Sequence, residues 1–187
     1  MSRVVWLLDV DGVLNATRPG WGAAPRSGTA YGDGHPYRLR WSSALITRIR
    51  ALHDTGTVTV RWCSTWCADA DQIERLFALP RLERAWTDPI SHSAAPAAKL
   101  AAARAVLDQG HRLIWTDDDA VPTSGPVHDE LLATGRALLI APLPNRGLQP
   151  EHLDAIEAFV SASPGPGTAG TGPHAAEIAR RLLGDTT

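Results

Sequence analysis

Val4-Val5-Trp6-Leu7-Leu8-Asp9-Val10-Asp11-Gly12-Val13-Leu14-Asn15 is the stretch on which the fold turns. Five apolar residues in succession, with no polar alternation, predict a strand covered on both faces, as in the middle of a parallel sheet. The run stops abruptly on two aspartates and a glycine, so the strand delivers acidic groups at its carboxyl end. The same device recurs downstream. Thr57 to Cys63 reads as a strand opening onto Ser64-Thr65-Trp66, and Arg112 to Thr116 as one opening onto Asp117-Asp118-Asp119. Shorter strands are expected at Ala85-Trp86 and at Ala137 to Ala141.

Helical patterns fill the gaps. Ser42 can cap a helix whose apolar positions Leu45, Ile46, Ile49 and Leu52 share one face and which Gly56 ends. Asp69 to Leu79 carries helical spacing and is stopped by Pro80. Ala97 to Gln109 follows Pro96 and closes at Gly110, with Lys99 near its start. Helices are also expected at Val127 to Ala133 and from Pro150 to Val160. Strands alternating with helices imply an α/β domain, here a three-layer, Rossmann-like α/β/α sandwich around a parallel sheet, covering residues 1–160. Residues 15–40 change character, with Gly and Pro scattered among Trp21, Tyr31 and Tyr37, and read as a small hairpin or flap. Residues 161–173 read as a flexible Ser/Pro/Gly/Ala/Thr linker, and 174–187 as a terminal tail with a short helix at Ala175 to Leu183.

Length and composition set the outer bounds. A chain of 187 residues is sized for one domain, and its 44% hydrophobic and 20% charged content is that of a globular protein. No apolar run approaches the ~20 residues of a membrane span, and no secretory signal is present, so a soluble, cytoplasmic protein is expected. A net charge of −2 without a basic block gives no footprint for duplex DNA or an anionic membrane. Cys63 and Cys67 are too few and too close for a disulfide scaffold or a four-ligand zinc site, and read as reduced core thiols. No feature of the sequence marks an oligomeric state.

In parallel sheets the carboxyl ends of the strands face one crevice, where ligands bind. Asp9, Asp11, Ser64 and Asp117 to Asp119 should therefore converge. So many carboxylates repel one another without a cation, and an all-oxygen donor set favours a hard ion such as Mg2+, which also accepts a substrate phosphate. Lys99 supplies a second positive element. It is the single lysine among 18 basic residues, in a chain that otherwise uses arginine. A one-residue shift of the strand end decides whether Ser64 or Thr65 faces the crevice, and Ser64 is favoured. Trp21, Tyr31 and Tyr37 sit where a flap would cover a ligand, and Arg18, Arg26, Arg38 and Arg40 could meet a second phosphate, although packing and ordinary surface roles are the default. His35, His92 and His128 have no partner at metal-ligand spacing and receive no role.

Asp9-Val10-Asp11-Gly12-Val13, then Ser64-Thr65, Lys99 and Asp117-Asp118, in that order, resembles the signature of the haloacid-dehalogenase superfamily. Leu8 to Asn15 with Ser64-Thr65-Trp66 and the closing Gly147-Leu148-Gln149-Pro150-Glu151-His152 is similar to its small single-domain members, including those attached to bacterial RNA-repair proteins. The resemblance covers residues 3 to about 160. It implies a phosphatase with the superfamily's fold, a small insert in place of a full cap, and an aspartyl-phosphate intermediate. Asp9 would be the nucleophile and Asp11 the general acid and base. Ser64 would hydrogen-bond the phosphoryl group and Lys99 would neutralise it, with Gly12, Thr65 and Trp66 as substrate contacts. Mg2+ would be held by the Asp9 carboxylate, the Asp11 carbonyl and Asp117 or Asp118. Asp11 points away from carbon-halogen cleavage, because a halide leaves without a proton and an alkoxide does not. The expected partner is a phosphorylated small molecule or a nucleic-acid end.

Three rivals remain in view. A phosphotransferase would pass the phosphoryl group to an acceptor other than water. A receiver-like signalling module also gathers acids, a hydroxyl and a lysine around Mg2+, but there the acidic pair precedes the lysine on the first strand, whereas here Asp117-Asp118 follows Lys99. A non-catalytic binding module on the same fold would not require Asp9, Asp11, Ser64, Lys99 and Asp118 together.

Overall fold

The computed structural model describes residues 2–162. Apart from Ser161 and Ala162, the expected linker and the expected terminal helix lie outside the described residues. Five strands form one sheet: β1 (Val4–Leu8), β4 (Val58–Trp62), β5 (Glu83–Arg84), β6 (Arg112–Thr116) and β7 (Ala137–Ile140). Every pairing is parallel and the spatial order is β5-β4-β1-β6-β7. The helices are α1 (Ser43–Asp54), α2 (Ala70–Phe77), α3 (Ala95–Asp108), α4 (Pro126–Ala133) and α5 (Pro150–Ser161).

Two-residue periodicity of the buried strands builds a core on each face of the sheet. Trp6, Leu8, Val60 and Trp62 pack with Leu45, Ile49, Ile73, Phe77 and Ile156, which come from α1, α2 and α5. Val5, Leu7, Leu113 and Trp115 pack with Ala103, Val106, Leu107 and Leu131, which come from α3 and α4. The result is the expected α/β architecture, a parallel sheet flanked by helices as in Rossmann-like folds. Two of the buried indoles find partners for their polar atoms. Trp6 Nε1 donates to Thr116 Oγ1 at 2.9 Å, and Trp62 Nε1 donates to the buried Glu74 at 3.0 Å.

The chain leaves β1 for β4 and β5 on one side, then fills β6 and β7 on the other. The reversal sets the carboxyl ends of β1 and β6 side by side, with Leu8 paired to Thr116, so Asp9 and Asp117 emerge as neighbours. Ser42 caps α1 as its sequence suggests, accepting from Leu45 N. The short edge strand forms at Glu83–Arg84, two residues before the expected Ala85-Trp86. Its register sets Glu83 opposite Arg61, and the pair closes at 2.7 Å.

The insert is an antiparallel hairpin, β2 (Arg26–Gly32) and β3 (His35–Trp41), ending one residue beyond the expected boundary. Asp33 and Gly34 form its two-residue turn, both with positive φ (49° and 76°), the geometry that Asp-Gly favours between strands. Among the described residues no helix is long and apolar enough to cross a membrane.

Candidate functional site

A cleft of about 270 Å³ opens at the carboxyl end of the sheet, lined by Asp9, Asp11, Gly12, Thr65, His92, Lys99, Asp118 and their neighbours. Asp9 forms its floor. Lys99 reaches it from the first turns of α3, a buried side chain with its ammonium 2.8 Å from Asp9 Oδ2 and 2.6 Å from Asp117 Oδ2. Asp117 is fully buried, and its other oxygen accepts from the backbone N–H of Asp119 (3.2 Å) and Ala120 (2.8 Å). One ammonium therefore holds two carboxylates.

Burial governs the ionisation of this group. Removal from water raises the Asp9 carboxyl, against the opposing pull of Lys99 and of the Ser64 hydroxyl. Burial and the charge of Asp9 push Asp117 up to about 7, again against Lys99. Burial alone would favour neutral Lys99, but the two aspartates outweigh it and hold the ammonium above its usual range. Asp118, half-buried on the cleft wall, is raised by burial and by Asp119 and Asp117 beside it.

The donor set suits a hard cation. Asp9, Asp117 and Asp118 each offer an oxygen, all within 4.8 Å of one another. Gly12 makes room for this arrangement: its φ is +68°, and a Cβ there would lie 2.1 Å from the Asp118 carboxyl carbon. Since both oxygens of Asp117 already face Lys99 or backbone N–H groups, Asp9 and Asp118 are the better placed to receive an ion from the cleft.

Asp11 is held differently. It is exposed, and both of its oxygens accept from neutral donors, Oδ2 from Trp66 Nε1 at 2.9 Å and Oδ1 from Asn15 Nδ2 at 2.7 Å. Trp66, expected to touch substrate, thus spends its N–H on Asp11. Ser64 is buried beside Asp9 and its hydroxyl caps the 3-10 turn Thr65–Asp69, accepting from Trp66 N, while Thr65 lines the cleft. Cys63 still pairs with β1, its N–H donating to the Leu8 carbonyl at 2.9 Å, and Ser64 is extended, so the turn begins only at Thr65.

Two residues, one behind Asp11 and one in the cleft wall, went unassigned in the sequence. Asn15 stands inside the first motif, but its role depends on a side-chain bond to Asp11 that spacing does not reveal. His92 lines the cleft and also a second, smaller hollow of about 70 Å³ under the hairpin tip, with Tyr37, Trp66 and Asp69. Trp21 turns away from the cleft, donating to the Leu148 carbonyl at 2.8 Å. Cys63 and Cys67 are buried free thiols, and burial pushes both up, which suppresses the reactive thiolate.

Chemically, the floor offers a carboxylate steadied by an ammonium, the rim offers an exposed carboxylate held by two neutral N–H donors, and the wall offers carboxylate oxygens that could hold a metal ion. No protein-family model matches the chain, and no curated protein or solved structure matches it either.

Proposed function

We propose that the protein is a Mg2+-dependent phosphomonoester hydrolase working through an aspartyl-phosphate on Asp9, as its resemblance to the haloacid-dehalogenase superfamily implies. The observation that carries this reading is the floor of the cleft. Asp9 faces an open pocket, ion-paired to the chain's single lysine, with the oxygens of Asp117 and Asp118 close enough to share a cation.

In the first step an Asp9 oxygen forms a bond to phosphorus while the bond from phosphorus to the leaving oxygen breaks. The proton that oxygen needs comes from Asp11 on the rim. In the second step water attacks the aspartyl-phosphate and gives its proton to Asp11, releasing inorganic phosphate and restoring the Asp9 carboxylate. Lys99 balances charge at the floor through both steps, and Thr65 presents its hydroxyl to the phosphoryl oxygens. Mg2+ held by Asp9 and Asp118, with the Asp11 carbonyl as a further ligand, would offset the negative charge shared by the carboxylates and the phosphate. The hairpin is too small to enclose a substrate, which suits a nucleotide or a nucleic-acid end as readily as a small phosphate ester. The setting is taken to be the cytoplasm.

The test is turnover of a panel of nucleotides, sugar phosphates and phosphorylated RNA and DNA ends, with Mg2+ and with EDTA. Phosphate release that EDTA abolishes, and that Asp9→Asn removes, is the expected result. Turnover retained by Asp9→Asn would overturn the assignment of the nucleophile, and product analysis with added alcohols distinguishes transfer to water from transfer to another acceptor.

A further inference from the structure

The two groups that hold Asp11 have something in common: each is itself fastened to the hairpin. Trp66 lies beneath the hairpin tip. Tyr37 meets its ring edge-on at 5.4 Å and 78°, and Gly32 sits so close that a Cβ there would come within 3.1 Å of the indole. The tip is pinned in turn by the Asp33 N–H, which donates to Asp69 at 3.1 Å in the turn that carries Trp66. Asn15 is fastened at the other end. Its Oδ1 accepts from the backbone N–H of Arg40 at 2.9 Å, and Ala16 N donates back to the Arg40 carbonyl at 3.0 Å.

We infer that the hairpin is a positioning device for Asp11, acting through Trp66 from its tip and through Asn15 from its base. This rests on the phosphatase reading, in which Asp11 exchanges protons with the leaving oxygen and then with water. A carboxylate has about four acceptor positions, and the two N–H donors take one on each oxygen. What remains is directed by the rigid pair. An indole and an amide fix the orientation of the carboxyl without adding charge. The contact belongs to the hairpin because neither donor is oriented by the sheet alone. Trp66 and Asn15 are positioning residues, since they act through Asp11 and not on the phosphate.

Leaving-group dependence separates this role from a merely structural one. A nitrophenolate departs without needing a proton, whereas an alkoxide requires one. Trp66→Phe keeps the ring and removes the N–H. In a single turnover with Mg2+, which reads the first step alone, it is expected to slow release of the alcohol from an alkyl phosphate by about 10- to 100-fold, while release of nitrophenolate stays within about threefold. Asn15→Ala, at a half-exposed site, should show the same selective loss, and Thr29→Ala at an exposed position of the hairpin should show none. Equal losses on the two esters, or no loss on either, would overturn the inference. A second readout needs no turnover: the Trp66 indole N–H, observed by NMR, should be protected from solvent exchange in the parent chain and lose that protection in Asp11→Ala. An indole equally unprotected in both would overturn the proposed contact. A parent chain that hydrolyses neither ester would sink the phosphatase reading, while the NMR comparison would still decide whether the hairpin holds Asp11.

Discussion

Asp9 and Asp11 stand two residues apart and live in opposite worlds. Asp9 closes a buried floor, 5% exposed, and answers to a formal charge, the Lys99 ammonium shared with Asp117. Asp11 stands on an exposed rim and answers only to neutral N–H donors from Trp66 and Asn15. The difference teaches how one short loop makes two kinds of carboxylate. A buried acid stays ionised only where a cation meets it, and that suits attack on phosphorus. An exposed carboxyl oriented by neutral hydrogen bonds suits the acid and base work proposed for Asp11.

The contrast can be broken at several points. The largest effect is expected from Asp9→Asn. Removal of the oxygen proposed to attack phosphorus should lower phosphate release from nitrophenyl phosphate on the order of 10⁴-fold or more, measured by steady-state kinetics with circular dichroism to check the fold. The corresponding change on the rim, Asp11→Asn, should spare the release of nitrophenolate in a single turnover relative to release of the alcohol from an alkyl phosphate, since in the first step only the alkoxide needs a proton.

Lys99→Met tests the floor as a charge assembly. It leaves Asp9 and Asp117 facing each other without a cation, so unfolding by urea should show a loss of about 3–5 kcal/mol in the metal-free protein. Adding Asp117→Asn removes one of the like charges and should recover part of that loss, a coupling that a double-mutant cycle would read.

Acidity offers a third probe. Asp117 has its folded pKa raised to about 7 from an ordinary 3.8, so the stability it contributes is fully present below about pH 4 and is lost as pH rises through 7. Metal-free protein should therefore lose on the order of a few kcal/mol between about pH 5 and pH 8 through this group. Thermal melts across that range should show the decline, Asp117→Asn should flatten it, and Mg2+ should oppose it by favouring the ionised carboxylates. A melt insensitive to both pH and Mg2+ would contradict the proposed floor.

Two glycine substitutions sharpen the comparison at smaller scale. Gly12→Ala places a methyl group on the Asp118 carboxylate at a left-handed backbone position and should cost at least about 1 kcal/mol of stability. It should also weaken the rise in melting temperature that Mg2+ produces, because Asp118 must move. Gly32→Ala presses on the Trp66 ring by a few tenths of an ångström, and is expected to lower kcat on alkyl phosphates by only about two- to fivefold, through Asp11.

Much of this arrangement is legible in the residue order. Val4 to Leu8 carries its own evidence of burial on both faces, and the acids directly after it and after Thr116 must share one end of a parallel sheet. Lys99 stands out for a compositional reason, as one lysine in an arginine-rich chain. The hairpin is less visible: Asp33-Gly34 is a strong turn signal, but the flanking strands have one exposed face and too few apolar residues to announce themselves. Ser64 is buried beside Asp9 while Thr65, opening the 3-10 turn, lines the cleft, a one-residue matter that no local pattern resolves.

Local burial patterns and chain order were enough to establish the layered α/β scaffold and the edge at which its acids gather, because strands and helices record their periodicity within a few residues. Which atoms meet at that edge is a matter of long-range contact. Lys99 touches Asp9 across 90 positions, and Trp66 touches Asp11 across 55. Those bonds depend on side-chain direction at strand ends and on a hairpin folded over them, and they come into being only when the sheet, α3 and the insert close on one another.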